Sequence, residues 1–139
     1  MIFLTALMAA MVLQGPAWTW TLYEGDGPLV LANEIVDTPN LKATLECTPG
    51  SGVARVSVYE GDLTAGFATV TAGGAEATAQ AEVGRDGKIS LALRTDHPAF
   101  LGFVADGDLA ISVGDHGQTV EVQPDHLAKL RRFAQLCGG

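Results

Sequence analysis

The chain has three histidines, and each directly follows an aspartate, as Asp96-His97, Asp115-His116 and Asp125-His126. Carboxylates and imidazoles both carry protons and bind metals, so these pairs could serve a hydrolase or a metal-dependent enzyme. Adjacent residues rarely turn toward one point, however, and polar turns often contain Asp and His for local reasons. His97, His116 and His126 are therefore kept as metal candidates, but the pattern favours turns without metal, cofactor or catalytic residue.

Other signatures of catalysis and of phosphate binding are absent from the sequence. It contains neither a G-x-S-x-G nucleophile motif nor a G-x-x-x-x-G-K-[ST] or G-x-G-x-x-G phosphate loop. The formal net charge of −8 makes nucleic acid an unfavourable partner. We interpret the only basic cluster, Lys129, Arg131 and Arg132, as the solvated face of a helix. These observations predict a protein that is not an enzyme and does not bind nucleic acid.

The two cysteines are predicted to meet in the protein interior. Cys47 ends the segment LKATLEC (41–47), where it shares one face of an alternating pattern with Leu41, Ala43 and Leu45. Cys137 shares one face of a predicted helix with Leu127, Leu130, Phe133 and Ala134. We predict a Cys47–Cys137 disulfide, which would close a loop of about 90 residues and contribute about 4–5 kcal/mol. Two free buried thiols are the alternative.

The elements that carry these residues are mostly strands. Alternating apolar residues between turn-forming Gly, Asp and Pro predict strands at 18–24, 41–47, 53–59, 66–72, 75–83, 88–95, 108–114 and 118–123. Pro98 indicates a short helix or helical turn within 96–107, and 124–137 has a helical pattern. The predicted fold class is a mainly β antiparallel sandwich or barrel of seven to nine strands with a C-terminal helix.

The predicted strand 75–83 carries alanines on one face, at positions 75, 77, 79 and 81. Methyl side chains leave little bulk there, so another element must approach closely. The C-terminal helix, a facing sheet or another chain could make that approach. Internal packing is favoured over a homo-oligomer that pairs through this strand.

Residues 1–17 are uncharged and mostly apolar, and the apolar run is too short to span a bilayer. Small residues at Gly15 and Ala17 favour a cleavable signal peptide over a buried N-terminal helix. The mature protein would then be one β-rich domain, 18–139, in the periplasm or secreted, without a stable membrane span.

This layout resembles small exported β-sandwich proteins, among them the invasion-associated locus B family and type VI secretion accessory proteins of Gram-negative bacteria. The signal-like start, the strand ending Leu45-Glu46-Cys47 and the closing RFAQLC (132–137) carry the resemblance. It implies an accessory role in the cell envelope, and no family catalytic residue can be carried over.

We therefore expect a non-catalytic binding or accessory protein whose partner is an unknown cell-envelope protein. The alternatives are a small hydrolase or metal-dependent enzyme that uses the Asp-His loops, and an inhibitor of a secreted hydrolase. An enzyme would need two of the three histidines at one cleft, whereas a binding module would need an exposed patch. Strand alternation points Tyr23 and Tyr59 outward, which makes them the candidate binding residues.

Overall fold

The structure, a computed structural model, describes residues 17–138, and nine strands form its framework. The predicted signal peptide, apart from Ala17, lies outside the described residues. The strands are β1 (Trp18–Tyr23), β2 (Leu29–Ile35), β3 (Leu41–Cys47), β4 (Val53–Val58), β5 (Gly66–Ala72), β6 (Ala75–Val83), β7 (Ile89–Arg94), β8 (Asp108–Val113) and β9 (His116–Glu121). Eight of them correspond to predicted strands, and β2 was not predicted.

All nine strands join one antiparallel sheet in the order β1-β2-β3-β4-β7-β6-β5-β8-β9. Only two residue pairs, Glu82 with Ser90 and Val83 with Ile89, connect β6 to β7. The sheet as a whole curls into a half-barrel, and its two edge strands, β1 and β9, contact each other. The predicted mainly β class with a C-terminal helix is confirmed, and its form is a single curled sheet.

Two helices pack inside the curled sheet. Helix α1 (Pro98–Asp106) begins after His97, whose Nδ1 accepts the Ala99 N–H at 3.0 Å, and ends at Gly107 with φ 83°. The C-terminal helix starts with a 3-10 turn, Pro124–His126, and continues as α2 (Leu127–Gly138). The largest fully buried side chains are Trp20 and those of Phe100, Phe103 and Phe133 on the helices. Within residues 17–138, no helix is both long and apolar enough to cross a membrane.

The alanine face of β6 is covered by α1. Gly102 of α1 lies so close to the β5–β6 turn that a Cβ there would stand 2.7 Å from the carbonyl oxygen of Ala72. Ala77 and Ala81 are buried on this face. The expected close approach is therefore internal, but it is made by the short helix rather than by the C-terminal one.

Helix α2 is fastened to the sheet at two places. Cys47 and Cys137 lie at disulfide-bonding distance with their Cα atoms 5.7 Å apart, which agrees with the predicted pairing. Lys129 donates from Nζ to the main-chain oxygen of Trp20 at 2.5 Å, and Arg132 pairs with Glu24 at 2.7 Å. Arg131 and Arg132 are exposed, as predicted for a solvated helix face, and the Arg132–Glu24 ion pair lies at the surface. Lys129 differs, because it is half-buried and is held against β1 by its bond to Trp20.

Candidate functional site

The two edge strands of the sheet meet along a seam that is only partly closed. Trp20 of β1 donates from Nε1 to the main-chain oxygen of Glu121, the last residue of β9, at 3.0 Å. Beside this contact lies a cleft of about 560 Å³, within the range usual for ligand sites. We call it the seam cleft, and its lining residues come from β1, β2, β3, β4, β9 and the segments that follow β4 and β9.

The floor of the seam cleft is a row of neighbouring residues on four strands. Trp20 pairs with Asn33, Asn33 with Ala43, and Ala43 with Val58, so the four side chains point to the same face. Trp20, Ala43 and Val58 are buried, and Asn33 is half-buried. The floor is therefore apolar with a single amide in its middle, which can both donate and accept hydrogen bonds.

The opposite wall consists of Gln118, Thr119, Val120 and Glu121 of β9. Successive side chains of a strand point to opposite faces, so four consecutive lining residues expose the strand's edge to the cleft. Strand β9 pairs only with β8 within residues 17–138. Main-chain N–H and C=O groups therefore line this wall together with the side chains.

The loop after β4 forms the rim of the cleft and is held in an uncommon conformation. Glu60 has φ 60°, a left-handed backbone that non-glycine residues seldom adopt. Its carbonyl oxygen accepts a hydrogen bond from Gln118 Nε2 at 3.1 Å, which ties the rim to β9. The other atom of that amide, Gln118 Oε1, is the only buried side-chain polar atom without a hydrogen-bond partner in residues 17–138. One end of the cleft therefore combines a strained backbone at Glu60 with an acceptor, Gln118 Oε1, that has no partner among residues 17–138.

The cleft is lined by more acidic than basic side chains. Glu60 and Glu121 line the cleft, and neither has an ion-pair partner among residues 17–138. The ammonium group of Lys42, which also lines it, lies 4.4 Å from the centroid of the Trp18 ring. The aromatic face holds this ammonium group without cancelling its charge, so one cation and the two carboxylates give the cleft lining a net negative charge.

Of the two tyrosines predicted to bind, only Tyr59 lies in the seam cleft. Its hydroxyl is 3.4 Å from Thr44 Oγ1, and its ring lies 5.7 Å from Lys88 Nζ. Tyr23 is about half exposed on β1, outside the cleft lining, and donates its phenol proton to Glu34 Oε1. This hydrogen bond and the negative charge of Glu34 raise the pKa of Tyr23 above its usual value. The two tyrosines do not form one site.

The three histidines lie on separate elements and have separate local contacts. His97 caps α1, and His116 is exposed at the start of β9. The His126 ring lies 3.6 Å from the carboxylate of Asp125 and 3.4 Å from Lys129 Nζ. Within residues 17–138, no group of three or more His, Cys, Asp or Glu side chains could hold a metal ion. The Asp-His pairs are thus explained by capping and turn contacts near each residue.

Comparison with known proteins identifies no relative of the chain. No protein-family model matches the chain, and no curated protein or solved structure shows significant similarity to it. The resemblance to exported accessory proteins therefore stays a prediction, and the candidate site depends on the geometry of the seam alone.

Sequence reasoning did not find Asn33 and Gln118, the two amides of the cleft. Both occupy inward-facing positions next to apolar residues, Asn33 after Leu31 and Gln118 before Val120. A polar residue at an inward position is a usable signal, because buried amides need partners. That signal was missed for Asn33 because β2 itself was not predicted.

Proposed function

We propose that this protein is an exported, non-catalytic binding or accessory protein of the bacterial cell envelope, and that the seam cleft is its binding site. The observation that carries the proposal is the cleft itself. It combines an apolar floor, two amides, an unpartnered buried oxygen and an exposed strand edge. Such a set of hydrogen-bonding groups suits recognition, whereas nothing in it provides a nucleophile with an adjacent base.

The position of the cleft also supports binding. It lies between strands that are far apart in sequence, and the rim is pinned to β9 through the Gln118–Glu60 hydrogen bond. Its floor is part of the packed sheet, so the site is largely formed before a ligand arrives. A preformed site loses less conformational freedom on binding than a flexible one.

Export is supported by the apolar segment 1–17 and by the Cys47–Cys137 pair. Structural disulfides persist in oxidising compartments such as the periplasm and are rare in the reducing cytosol. Neither sulfur is accessible, since Cys47 is 3% and Cys137 0% exposed, so this pair is structural rather than reactive.

Export is tested by the intact mass of the chain purified from the envelope fraction of its host, with thiols alkylated before and after reduction. The proposal predicts a chain that starts near Trp18 and takes up alkylating reagent only after reduction. A full-length chain with two freely alkylated cysteines would contradict it.

Binding is tested by photo-crosslinking inside living host cells. A photoreactive phenylalanine analogue is placed at Gln123, which is exposed and lines the cleft, and in a control at Thr71, which is exposed on β5 outside the cleft. We expect a light-dependent adduct with an envelope component from position 123 and none from position 71. Equal adducts from both positions, or none from 123, would show that the cleft is not a binding site.

A further inference from the structure

We propose that the ligand of the seam cleft is an extended, cationic peptide segment of another protein, which pairs as an added strand with the free edge of β9. This inference rests on the proposed function and names the ligand class for the same site. It is argued from the hydrogen-bond directions of the two edge strands, from the length of free edge and from charge.

The hydrogen-bond directions of β9 follow from its hairpin with β8. The two-residue turn Gly114-Asp115 is closed by the pair Val113–His116, so the main chain of every second residue from His116 onward points to β8. The main-chain groups of Gly117, Thr119 and Glu121 then point away from it. Two contacts agree with this alternation: the Val122 N–H donates to Gly107 O, and Glu121 O accepts from Trp20 Nε1.

The opposite edge, that of β1, is already occupied near the cleft. The main-chain oxygen of Trp20 accepts from Lys129 Nζ, so this side of β1 is capped by the C-terminal helix. Lysine at an exposed edge is a common way to prevent further strand pairing. Among residues 17–138, no side chain bonds the main-chain groups of Gly117 and Thr119 that point away from β8. The seam therefore offers one protected edge and one open edge.

The open edge is long enough for a short strand. Strands rise about 3.4 Å per residue, so the free edge from Gly117 to Thr119, which stops before the Glu121 oxygen that accepts from Trp20, extends over about 7 Å. Gly117 and Thr119 each present one N–H and one C=O group, and these can form two successive pairs with an incoming main chain. The amides of Asn33 and Gln118 lie on the cleft side, where they can bond the far edge or the side chains of the added segment.

The charge around the open edge selects a cationic segment. Glu60 and Glu121 line the cleft, and Asp108 lies directly opposite Glu121 on β8. Like charges opposite each other in a sheet are unfavourable, and a cation placed between them relieves the repulsion. Because the chain carries a net charge of −8, a second copy would bring the same carboxylates together. A Lys- or Arg-bearing partner fits this edge better than a dimer does.

The test selects peptides on the purified, disulfide-bonded protein. Random phage-displayed dodecapeptides are selected on the wild-type chain and, in parallel, on Thr119→Pro, which removes the N–H at the free edge without removing a bond to β8. Enriched peptides are synthesised and their binding is followed by the fluorescence of the two tryptophans of the chain. Trp20 lines the cleft, and the Trp18 ring contacts Lys42, which also lines it. Thr71→Val, on β5 outside the cleft, is the control variant.

We expect enrichment of Lys- or Arg-containing peptides on the wild type and on Thr71→Val, and at least about a tenfold loss of affinity on Thr119→Pro. N-methylation of alternate peptide amides should cause a similar loss, and this result needs no protein variant. Glu60→Gln and Glu121→Gln should each weaken binding about two- to fivefold at low salt. Circular dichroism of Thr119→Pro checks that the sheet is intact.

Each of the following results would overturn the inference. Enrichment of neutral or acidic peptides, or enrichment that is equal on Thr119→Pro, would show that the free edge does not select a cationic strand. A dimer in sedimentation experiments that dissociates in Thr119→Pro would assign the edge to a second copy. No enrichment, together with a crosslink from Gln123, would leave the binding function standing with a ligand that is not an extended peptide. No enrichment and no crosslink would remove both proposals.

Discussion

Two places in the half-barrel bring distant elements together, and they do so in opposite ways. Helix α1 reaches the β5–β6 turn through Gly102, where a Cβ would stand 2.7 Å from a backbone oxygen. The seam between β1 and β9 is instead bridged by a long side chain, because the Trp20 indole donates to the main-chain oxygen of Glu121. Small residues thus close one gap completely, and one polar side-chain contact spans the other.

The difference explains why only the second place has room for a ligand. Backbone-to-backbone contact leaves no volume, and its cost under substitution is steric. A side-chain bridge leaves the cleft of about 560 Å³ beside it and keeps the edge of β9 unpaired. Substitutions at the Gly102 contact and substitutions at the seam should therefore differ in how they affect stability and binding.

The largest expected effect is the loss of the link between Cys47 and Cys137. The double variant Cys47→Ala/Cys137→Ala should lower the free energy of unfolding by about 4–5 kcal/mol, because the closed loop contains about 90 residues. Urea titration measures the loss. Because α2 carries Lys129, hydrogen exchange should rise first at β1 and α2 and last at α1, β5 and β6. An equal increase in hydrogen exchange at β1 and α2 and at α1, β5 and β6 would contradict the distinction between the two regions.

The next effect is steric and confined to the tight contact. Gly102→Ala should destabilise the fold by about 2–4 kcal/mol, because the new methyl group meets the backbone of Ala72. Gly25→Ala is the matched control, since a Cβ at Gly25 meets nothing within 4 Å. The control should change stability by less than about 0.5 kcal/mol. Similar unfolding midpoints in urea for the two variants would show that the contact is not tight.

Trp20→Phe tests the bridge across the seam. The variant loses the Nε1–H bond to Glu121 and some buried apolar area, so we expect a loss of about 2 kcal/mol in thermal or urea unfolding. Trp18→Phe, on the same strand but partly exposed, should cost clearly less. If both variants cost the same, the Trp20 bridge does not hold the seam.

Lys129→Met should have a smaller effect, about 1 kcal/mol, because it removes one charge-assisted hydrogen bond and keeps the apolar stem. Arg131→Met on the exposed face of the same helix is the control and should be nearly neutral. Amide exchange at Trp20 and its neighbours should increase only in the Lys129 variant. An unchanged exchange pattern would mean that Lys129 does not cap this edge.

The smallest expected effect concerns Tyr23, which takes part neither in the contact of α1 with the β5–β6 turn nor in the bridge across the seam. Its pKa is raised by the hydrogen bond to Glu34 and by that residue's charge, so one phenol should titrate above its usual range. With a folded-state pKa above the unfolded value, the pair's contribution to stability is present below about pH 10 and is lost as pH rises through the folded-state pKa. Ultraviolet titration should show the late phenol in wild type and in Tyr59→Phe, and not in Tyr23→Phe. A late phenol that persists in Tyr23→Phe would contradict the assignment.

Much of the fold could be predicted from the sequence because most strands alternate cleanly. In β8 the predicted inward residues are the buried ones, and in β7 they are buried together with Ser90. In β3 the alternation is less strict, because Leu41 is half-buried and Thr44 is buried. The helical face that carries Leu130, Phe133 and Cys137 lies in the core. Strand β2 was missed because Leu29–Ala32 is an apolar run without alternation, and Asn33 and Glu34 follow it. Glu34 is buried beside Tyr23, a partner that no local pattern reveals.

The candidate site could not be predicted because it depends on strand order. Trp20 and Glu121 are 101 residues apart in sequence and lie on the two edge strands, which meet only because the sheet is curled. Lys129 looked like a solvated charge, since its bond to Trp20 requires the position of α2 against β1. Tyr59 was selected for its outward position and does line the cleft, whereas Tyr23 was selected on the same grounds and does not.

The measurement that tests the central claim most directly is residue-resolved amide hydrogen exchange along β9 in the protein alone. An open edge predicts alternation: the N–H groups of Gly117 and Thr119 exchange quickly, and those of Gln118 and Val120 are protected by their bonds to β8. Equal protection at all four positions would show that the edge of β9 is already covered. The seam would then be a closed contact rather than a binding site.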